Sequence, residues 1–439
     1  MSLTDLSATR LAAEIRARET SAREVVEAFL GRIERLNPVL NAVVHLDAAG
    51  ALEAATRADR TEPRGRLHGV PILLKDAHRV VGMPTIVGNP DAATGPAPRD
   101  GYVAARLRAA GAIILGKTNV PRDLADFQTD NPVFGRTCNA WDVDRTPGGS
   151  SGGAAAALAA RLTPIEVGSD IAGSIRLPAH FCGVIGFKPT AGLVSLAGHV
   201  TEPARRPRGG AVGVGALATI GPMARDLDDI ELLLELLAPA MPLAARQSEP
   251  RLRLGIVPAF AGLRVENSIR DAVDALGLRA ERGGASVDQV ELGLDIADHH
   301  AAWVSVYTKA RRHGAGWARR AEVARLQADA ARAWDEALAG YDAIVCPAAM
   351  CVAFTHRPTG TPIEVDGVPV PYWGLARYTE PLNLTGHPAA VLPVGLDPSR
   401  LPIGVQVVGT RGADAGLLAI LRWLAGVIEP MGTPRLDCS

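Results

Sequence analysis

Two glycine clusters that carry serines, and one lysine that ends an apolar run, are the residues in this chain best placed to do chemistry. Gly148 to Gly153 reads GGSSGG, Gly168 to Ser174 reads GSDIAGS, and Val70 to Lys75 reads VPILLK. A serine hydroxyl is a poor nucleophile until a base removes its proton. Histidine is the usual base. The chain has ten histidines, among them His68, His78, His180, His199 and His387, and none sits in a recognisable triad context. The nucleophile-elbow pattern G-x-S-x-G fits by letter around Ser150 and Ser151. An elbow needs a buried strand running straight into its serine, whereas Asp144-Arg145-Thr146-Pro147 reads as a turn. The other arrangement pairs serine with lysine and needs the lysine neutral. Burial lowers a lysine's pKa, and Lys75 ends a very apolar strand. Asp76 would oppose this if it faced Lys75, but neighbours on a strand point to opposite sides.

Other patterns point elsewhere. Gly111 to Thr118 (GAIILGKT) matches the phosphate-loop pattern G-x-x-x-x-G-K-[ST] by letter. Such a loop follows a strand and presents backbone NH groups. Here a helix precedes Gly111, the four intervening residues are themselves strand-like, and Pro121 discourages an immediate helix. The five cysteines, Cys138, Cys182, Cys346, Cys351 and Cys438, are scattered and odd in number, unlike a disulfide scaffold or a zinc site. Cys182 lies in an apolar Phe-Cys-Gly-Val run and reads as core. No metal or cofactor is expected. A net charge of −1, with 47% hydrophobic and 21% charged residues, describes a soluble enzyme-sized globule. That balance gives no argument for nucleic acid or an anionic membrane. There is no signal-peptide pattern and no apolar run of ~18 residues, so a cytoplasmic location is expected.

The elements that must position these residues follow from periodicity. Residues 4 to 36 are helical, with Ser21 and Glu24 as a capping box. Val70 to Leu74 and Ala112 to Leu115 are strands buried on both faces, with a helix over 101–110 between them. Residues 127–145 form a turn-rich loop. The alanine run after Gly153 reads as a buried helix, followed by a short strand and then a second glycine turn. Residues 203–215 read as an exposed loop, Ile230 to Leu237 as helix and 238–250 as a linker. Leu252 to Val257 is a strand and Ser268 to Leu276 a helix; 299–338 is helical and closed by Gly340. Ala343 to Cys346, residues 383–394 and residues 402–408 read as strands, and Ala415 to Val427 as the last helix. The sum is an α/β chain with a mixed central sheet sandwiched by helices, read as one domain over 1–439.

The run from the first glycine cluster to Pro178-Ala179-His180-Phe181-Cys182-Gly183-Val184-Ile185-Gly186-Phe187-Lys188-Pro189-Thr190 resembles the amidase signature family. Gly69 to Asp76, Gly111 to Asn119, Asn139 to Arg145, Gly221 to Met223 and Pro402 to Gln406 resemble it too. The resemblance covers nearly the whole chain; it implies a signature core over 60–225, and it is weakest over 240–340, a variable helical region that it implies shapes the substrate pocket. It implies a Ser-cisSer-Lys triad in which Lys75 is the base, Ser150 the bridging serine after a cis peptide bond, and Ser174 the nucleophile. It further implies an oxyanion hole of the backbone NH groups of Ile171, Ala172, Gly173 and Ser174. The family commonly has glycine where this chain has Ala172. Either that NH is presented at negative φ, or the hole is reshaped.

Ser151, Ser169, Asp170 and Arg176 are expected to order the site from behind, with Ser151 supporting the loop or capping the alanine helix. Phe127, Gln128, Trp303, Tyr307, Trp373 and Tyr378 fall where family members build pockets. The resemblance implies hydrolysis of a small-molecule carboxylic amide, with no nucleic-acid or membrane partner and with a homodimer compatible. An alternative is the glutaminase subunit of a tRNA-dependent amidotransferase, although that subunit usually has Asp-Thr-Gly-Gly-Ser where this chain has Asp170-Ile171-Ala172-Gly173-Ser174. A degenerate scaffold is the non-enzymatic alternative. Taken singly, Lys75 would be a surface strand-end residue, Ser150 a turn residue and Ser174 a helix cap; only their joint context assigns them chemistry.

Overall fold

Two sheets meet beside the glycine-rich loops. The computed structural model describes residues 2–92, 95–201, 214–241, 252–311, 317–434 and 436, with the side chains of 309–320 outside the description. The small sheet holds β1 (Val43–Leu46), β2 (Pro71–Lys75) and β3 (Ile113–Thr118) in the order β1-β3-β2. Strand β2 runs parallel to β3, and β1 antiparallel to it. Every residue of β2 and β3 is buried, as their unbroken apolar character requires.

Next in chain order come β4 (Ile165–Asp170), β5 (Ile185–Lys188), β6 (Thr219–Ala224), β7 (Arg253–Ile256), β8 (Ser286–Gln289) and β9 (Ala343–Pro347). A short hairpin, β10 (Ile363–Val365) and β11 (Val368–Val370), stands apart, and β12 (Ala389–Leu396) and β13 (Pro402–Gly409) follow. Among the described residues the large sheet has the order β4-β6-β5-β12-β13-β9-β7-β8. Pairing is antiparallel from β4 to β9 and parallel through β9-β7-β8. Helices flank this mixed sheet, as expected. Lys75 and Ser174 thus come from different sheets: one ends β2, and the other follows β4 at the edge of the large sheet.

Local chemistry explains the elements nearest the site. Helix Ala22–Leu40 opens with the expected capping box: the Glu24 N–H donates to Ser21 Oγ at 3.1 Å, and the Ser21 N–H to Glu24 Oε2 at 2.8 Å. Helix Gly152–Ala159 is buried at every position. Its start touches main chain, since a Cβ on Gly153 would lie 2.4 Å from the Asn119 backbone just beyond β3. Glycine there locks the first serine loop onto the small sheet.

Two local readings change, at 168–170 and 383–385, and two strands carry no expectation from the sequence. Gly168-Ser169-Asp170 belongs to β4, so the second glycine turn begins only at Ile171. Thr219–Ala224 is a strand despite Pro222; β5 pairs only with Met223 and Ala224, so Pro222 removes no ladder bond on that side. Ser286–Gln289 pairs with β7 although only partly buried, so it lacks the apolar run that marks other strands. Asn383-Leu384-Thr385 is helical within Glu380–Thr385, closed by Gly386 at φ +78°, and β12 begins at Ala389. The loop expected over 203–215 and the linker over 238–250 lie largely outside the described residues.

Gly111 to Thr118 makes no phosphate loop. Gly116, Lys117 and Thr118 lie within β3, and the fully buried Lys117 Nζ meets Asp76 Oδ1 at 2.8 Å. Asp76 therefore faces away from Lys75, as strand alternation requires. Among the described residues no helix is long and apolar enough to cross a membrane, and no group of three or more His, Cys, Asp or Glu could hold a metal.

Candidate active site

Lys75 is wholly buried and its amine is surrounded by oxygens. Nζ lies 2.7 Å from Ser150 Oγ, 2.8 Å from Ser151 Oγ, 3.0 Å from Ser169 Oγ and 3.3 Å from the Ser169 carbonyl. A carbonyl can only accept, whereas hydroxyls can donate or accept. A neutral amine can therefore donate to Ser169 O and still take a proton on its lone pair from Ser150. Burial pushes Lys75 down from 10.5 to about 7, against the opposing pull of Asp170 and Glu166. Glu166, also buried, is itself pushed up to about 8 by burial, against hydrogen bonds from Thr118 and Val167. Among the described residues no histidine contacts these serines. His78 gives its ring to the Val167 carbonyl at 3.0 Å, and burial and Lys75 hold it down at about 3.

The first serine loop carries a cis peptide at Gly149-Ser150, at the position the resemblance implied. Ser151 precedes the alanine helix without a side-chain cap bond; its hydroxyl meets Lys75 Nζ instead. The loops are joined by the Ser151 N–H donating to the Ser174 carbonyl at 3.1 Å. Ser174 is buried to 8% exposure, and no hydrogen bond joins its hydroxyl to Ser150 among the described residues.

Behind Ser174 stands a buried ion pair. Asp170 and Arg176 are both fully buried and meet through two bonds, at 3.0 and 2.9 Å. Burial alone would raise the Asp170 carboxyl; the Arg176 guanidinium and the Ile175 and Gly173 amides outweigh it and hold the group well below the usual carboxylate range. Arg176 also donates to Thr379 O (2.9 Å), Gln406 Oε1 (2.8 Å) and Asn383 Oδ1 (2.6 Å). One side chain thereby ties the second loop to β13 and to helix Glu380–Thr385.

Of the four backbone amides expected to face an oxyanion, one is committed elsewhere. The Gly173 N–H donates to Asp170 Oδ1 at 2.7 Å, because the carboxylate needed to neutralise Arg176 also reaches back to the turn. The amides of Ile171, Ala172 and Ser174 have no acceptor among the described residues. Ala172 is not among the residues at positive φ; Gly173 takes that conformation, at +108°. The alanine therefore needs no positive φ.

The pocket residues divide. Trp303 and Tyr307 stack at 4.9 Å, and Trp303 Nε1–H donates to the Ile171 carbonyl at 3.1 Å. Phe127 packs edge-on against the half-exposed Trp373 at 5.6 Å. Gln128 is engaged at both ends of its amide with the Arg357 backbone, at 2.9 and 3.0 Å. Tyr378 lies deeper, stacked on Phe260 at 4.8 Å. Cys182 is fully buried, and burial drives its thiol well up. Sequence reasoning missed Glu166, Thr379, Asn383 and Gln406 around the site. Glu166 gave one signal, as a carboxylate between the apolar Ile165 and Val167, and Gln406 lay in a stretch that resembles the family.

Comparison with known proteins agrees with this geometry. A family model described as Amidase matches residues 24–307 and 294–418. The chain is 34% identical over 482 residues to a glutamyl-tRNA(Gln) amidotransferase subunit from Aromatoleum aromaticum, covering 94% of this chain and 95% of that protein. It is 36% identical over 444 residues to an indoleacetamide hydrolase of Bradyrhizobium diazoefficiens, covering 92% and 83%. Its structure resembles that of a bacterial aryl acylamidase of the amidase signature enzymes, with a TM-score of 0.80 and 26% identity over 96% of both chains. With its glycine-serine loops, cis peptide and buried lysine in one place, the chain belongs to the amidase signature family.

Proposed function

We propose that the chain hydrolyses the linear C–N bond of a small carboxylic amide through an acyl-enzyme on Ser174, with Ser150 and Lys75 as its proton relay. The observation that carries this reading is the fully buried Lys75 amine, held near neutrality and 2.7 Å from Ser150 Oγ. Neutral Lys75 takes the Ser150 proton while Ser150 takes that of Ser174, whose oxygen attacks the carbonyl carbon. The amides of Ile171, Ala172 and Ser174 receive the developing oxyanion. Collapse breaks the C–N bond, and the relay run backwards protonates the departing amine. Water then attacks the ester by the same path and releases the acid. The reading requires no metal or cofactor and places the enzyme in the cytoplasm. Phe127, Trp303, Tyr307 and Trp373 give the substrate aromatic neighbours.

A second reading rests on the similarity to amidotransferase subunits over nearly the full chain: release of ammonia from glutamine for a partner that holds tRNA. The Ile171-Ala172 sequence, where that subunit has Thr-Gly, supports the free hydrolase. The test is to give the purified chain alone a panel containing glutamine, indoleacetamide and simple anilides, and to measure acid and amine. Turnover of non-glutamine amides without a partner supports the hydrolase; glutamine hydrolysis that appears only with amidotransferase partners supports the second reading.

A further inference from the structure

We propose that Trp303 is a positioning residue for the oxyanion site: its indole N–H holds the Ile171-Ala172 peptide plane so that the Ala172 N–H meets the developing negative charge. The inference rests on the acyl-enzyme reading above and gives Trp303 a role beyond lining a pocket. A trans peptide is a rigid plane with its C=O and N–H on opposite sides, so fixing the carbonyl aims the amide. The Ile171 carbonyl and the Ala172 amide share one such plane. Its oxygen accepts from Trp303 Nε1–H at 3.1 Å, and its N–H has no acceptor among the described residues.

The next plane provides the contrast. The Ala172 carbonyl accepts from Thr379 Oγ1 at 2.8 Å, and the Gly173 amide donates to Asp170 Oδ1 at 2.7 Å. That plane is braced at both ends by the protein. The Ile171-Ala172 plane is braced only at its carbonyl, and its amide is left for a ligand. A donor on the carbonyl also polarises the N–H across the same plane, since linked hydrogen bonds strengthen one another.

Trp303 is itself held in place. Its ring stacks on Tyr307 at 4.9 Å with 12° between the planes, and it packs in a small apolar cluster with Ile171. Three residues earlier on the same helix, His300 Nδ1 meets Glu380 Oε1 at 2.5 Å. Glu380 directly follows Thr379, so this contact links the two segments that carry the carbonyl donors Trp303 and Thr379.

The substitution Trp303→Phe keeps an aromatic ring against Tyr307 and removes the donor together with part of the indole. A fluorophosphonate probe reads the consequence without knowledge of the natural substrate. Ser174 Oγ bonds to phosphorus, the P–F bond breaks, fluoride departs, and the hydroxyl proton passes through Ser150 to Lys75. The oxygen on phosphorus gains charge during this step. The expected result is a drop of about tenfold in the limiting labelling rate, less than the loss of a whole donor because the amide remains but is no longer held. The half-saturating probe concentration and the thermal midpoint stay unchanged. Should Trp303→Phe melt early, labelling below its midpoint reads the same split. An unchanged limiting rate, or an effect confined to half-saturation, overturns the inference and leaves Trp303 as a pocket wall. If the wild-type protein is not labelled at Ser174, the acyl-enzyme reading falls and this inference falls with it. A labelled wild type with an unaffected Trp303→Phe overturns this inference alone.

Discussion

Acid should switch this protein off through Lys75. As the proposed base, Lys75 works only when neutral, and burial lowers it from 10.5 to about 7. For a group at about 7, the neutral fraction is about one-half at pH 7, about one-tenth at pH 6 and about one-hundredth at pH 5. The reaction rate should therefore fall roughly tenfold per pH unit below about 6. The assay is the rate of amide hydrolysis, or of fluorophosphonate labelling of Ser174, from pH 5 to pH 9 at constant ionic strength. A profile flat down to pH 5 would refute a neutral-lysine base, and an inflection near 10 would refute the burial argument.

The same depression has a stability side. Between about 7 and 10.5 the unfolded chain holds a proton that the folded chain lacks, so the Lys75 contribution to stability rises with pH through that window and is flat below it. Spread over that gap, the burial penalty amounts to about 4 kcal/mol at pH 7.

Other substitutions separate the roles. Lys75→Met should abolish labelling without lowering the melting temperature at pH 7, since it removes that penalty; a drop of several degrees would contradict this. Ser150→Ala should cost about 10²–10⁴-fold in rate as a broken proton path. Ser151→Ala, which removes one of the oxygens around Lys75, should cost about tenfold; equal losses in steady-state kinetics would mean that the relay is misassigned. Arg176→Met leaves Asp170 buried and unpaired and should destabilise by about 3–5 kcal/mol in urea unfolding; an effect below about 1 kcal/mol would show that the pair is not structural. Gly173→Ala would set a Cβ 2.4 Å from Thr379 Oγ1 at φ +108°, so both rate and stability should fall.

The site was more legible in the sequence than some of the strands that hold it. Lys75 announced itself by ending an apolar run, and that run is a strand with no exposed residue. The glycine clusters marked where backbone approaches backbone, as at Gly153 against Asn119. Pairing partners left no such mark. Thr219–Ala224 contains a proline and a glycine, both poor strand residues, and is a strand because β4 lies along its whole length. Asn383 to Thr385 looked continuous with the apolar run after it, and Gly386 at positive φ divides helix from strand. The commitment of the Gly173 amide to Asp170 was hidden for a different reason. It depends on where a side chain three residues earlier points, and Arg176, Gln406 and Asn383 settle that together from distant parts of the chain.

The central claim, a covalent acyl-enzyme on Ser174 formed by a lysine-driven relay, is tested most directly by intact-mass spectrometry of the protein mixed with amides and the corresponding esters. The account predicts a mass increase equal to the acyl group, mapped by peptide digestion to Ser174, and absent in Ser174→Ala. Full hydrolytic activity in Ser174→Ala, or an adduct on Ser150 or Ser151 instead, would contradict it.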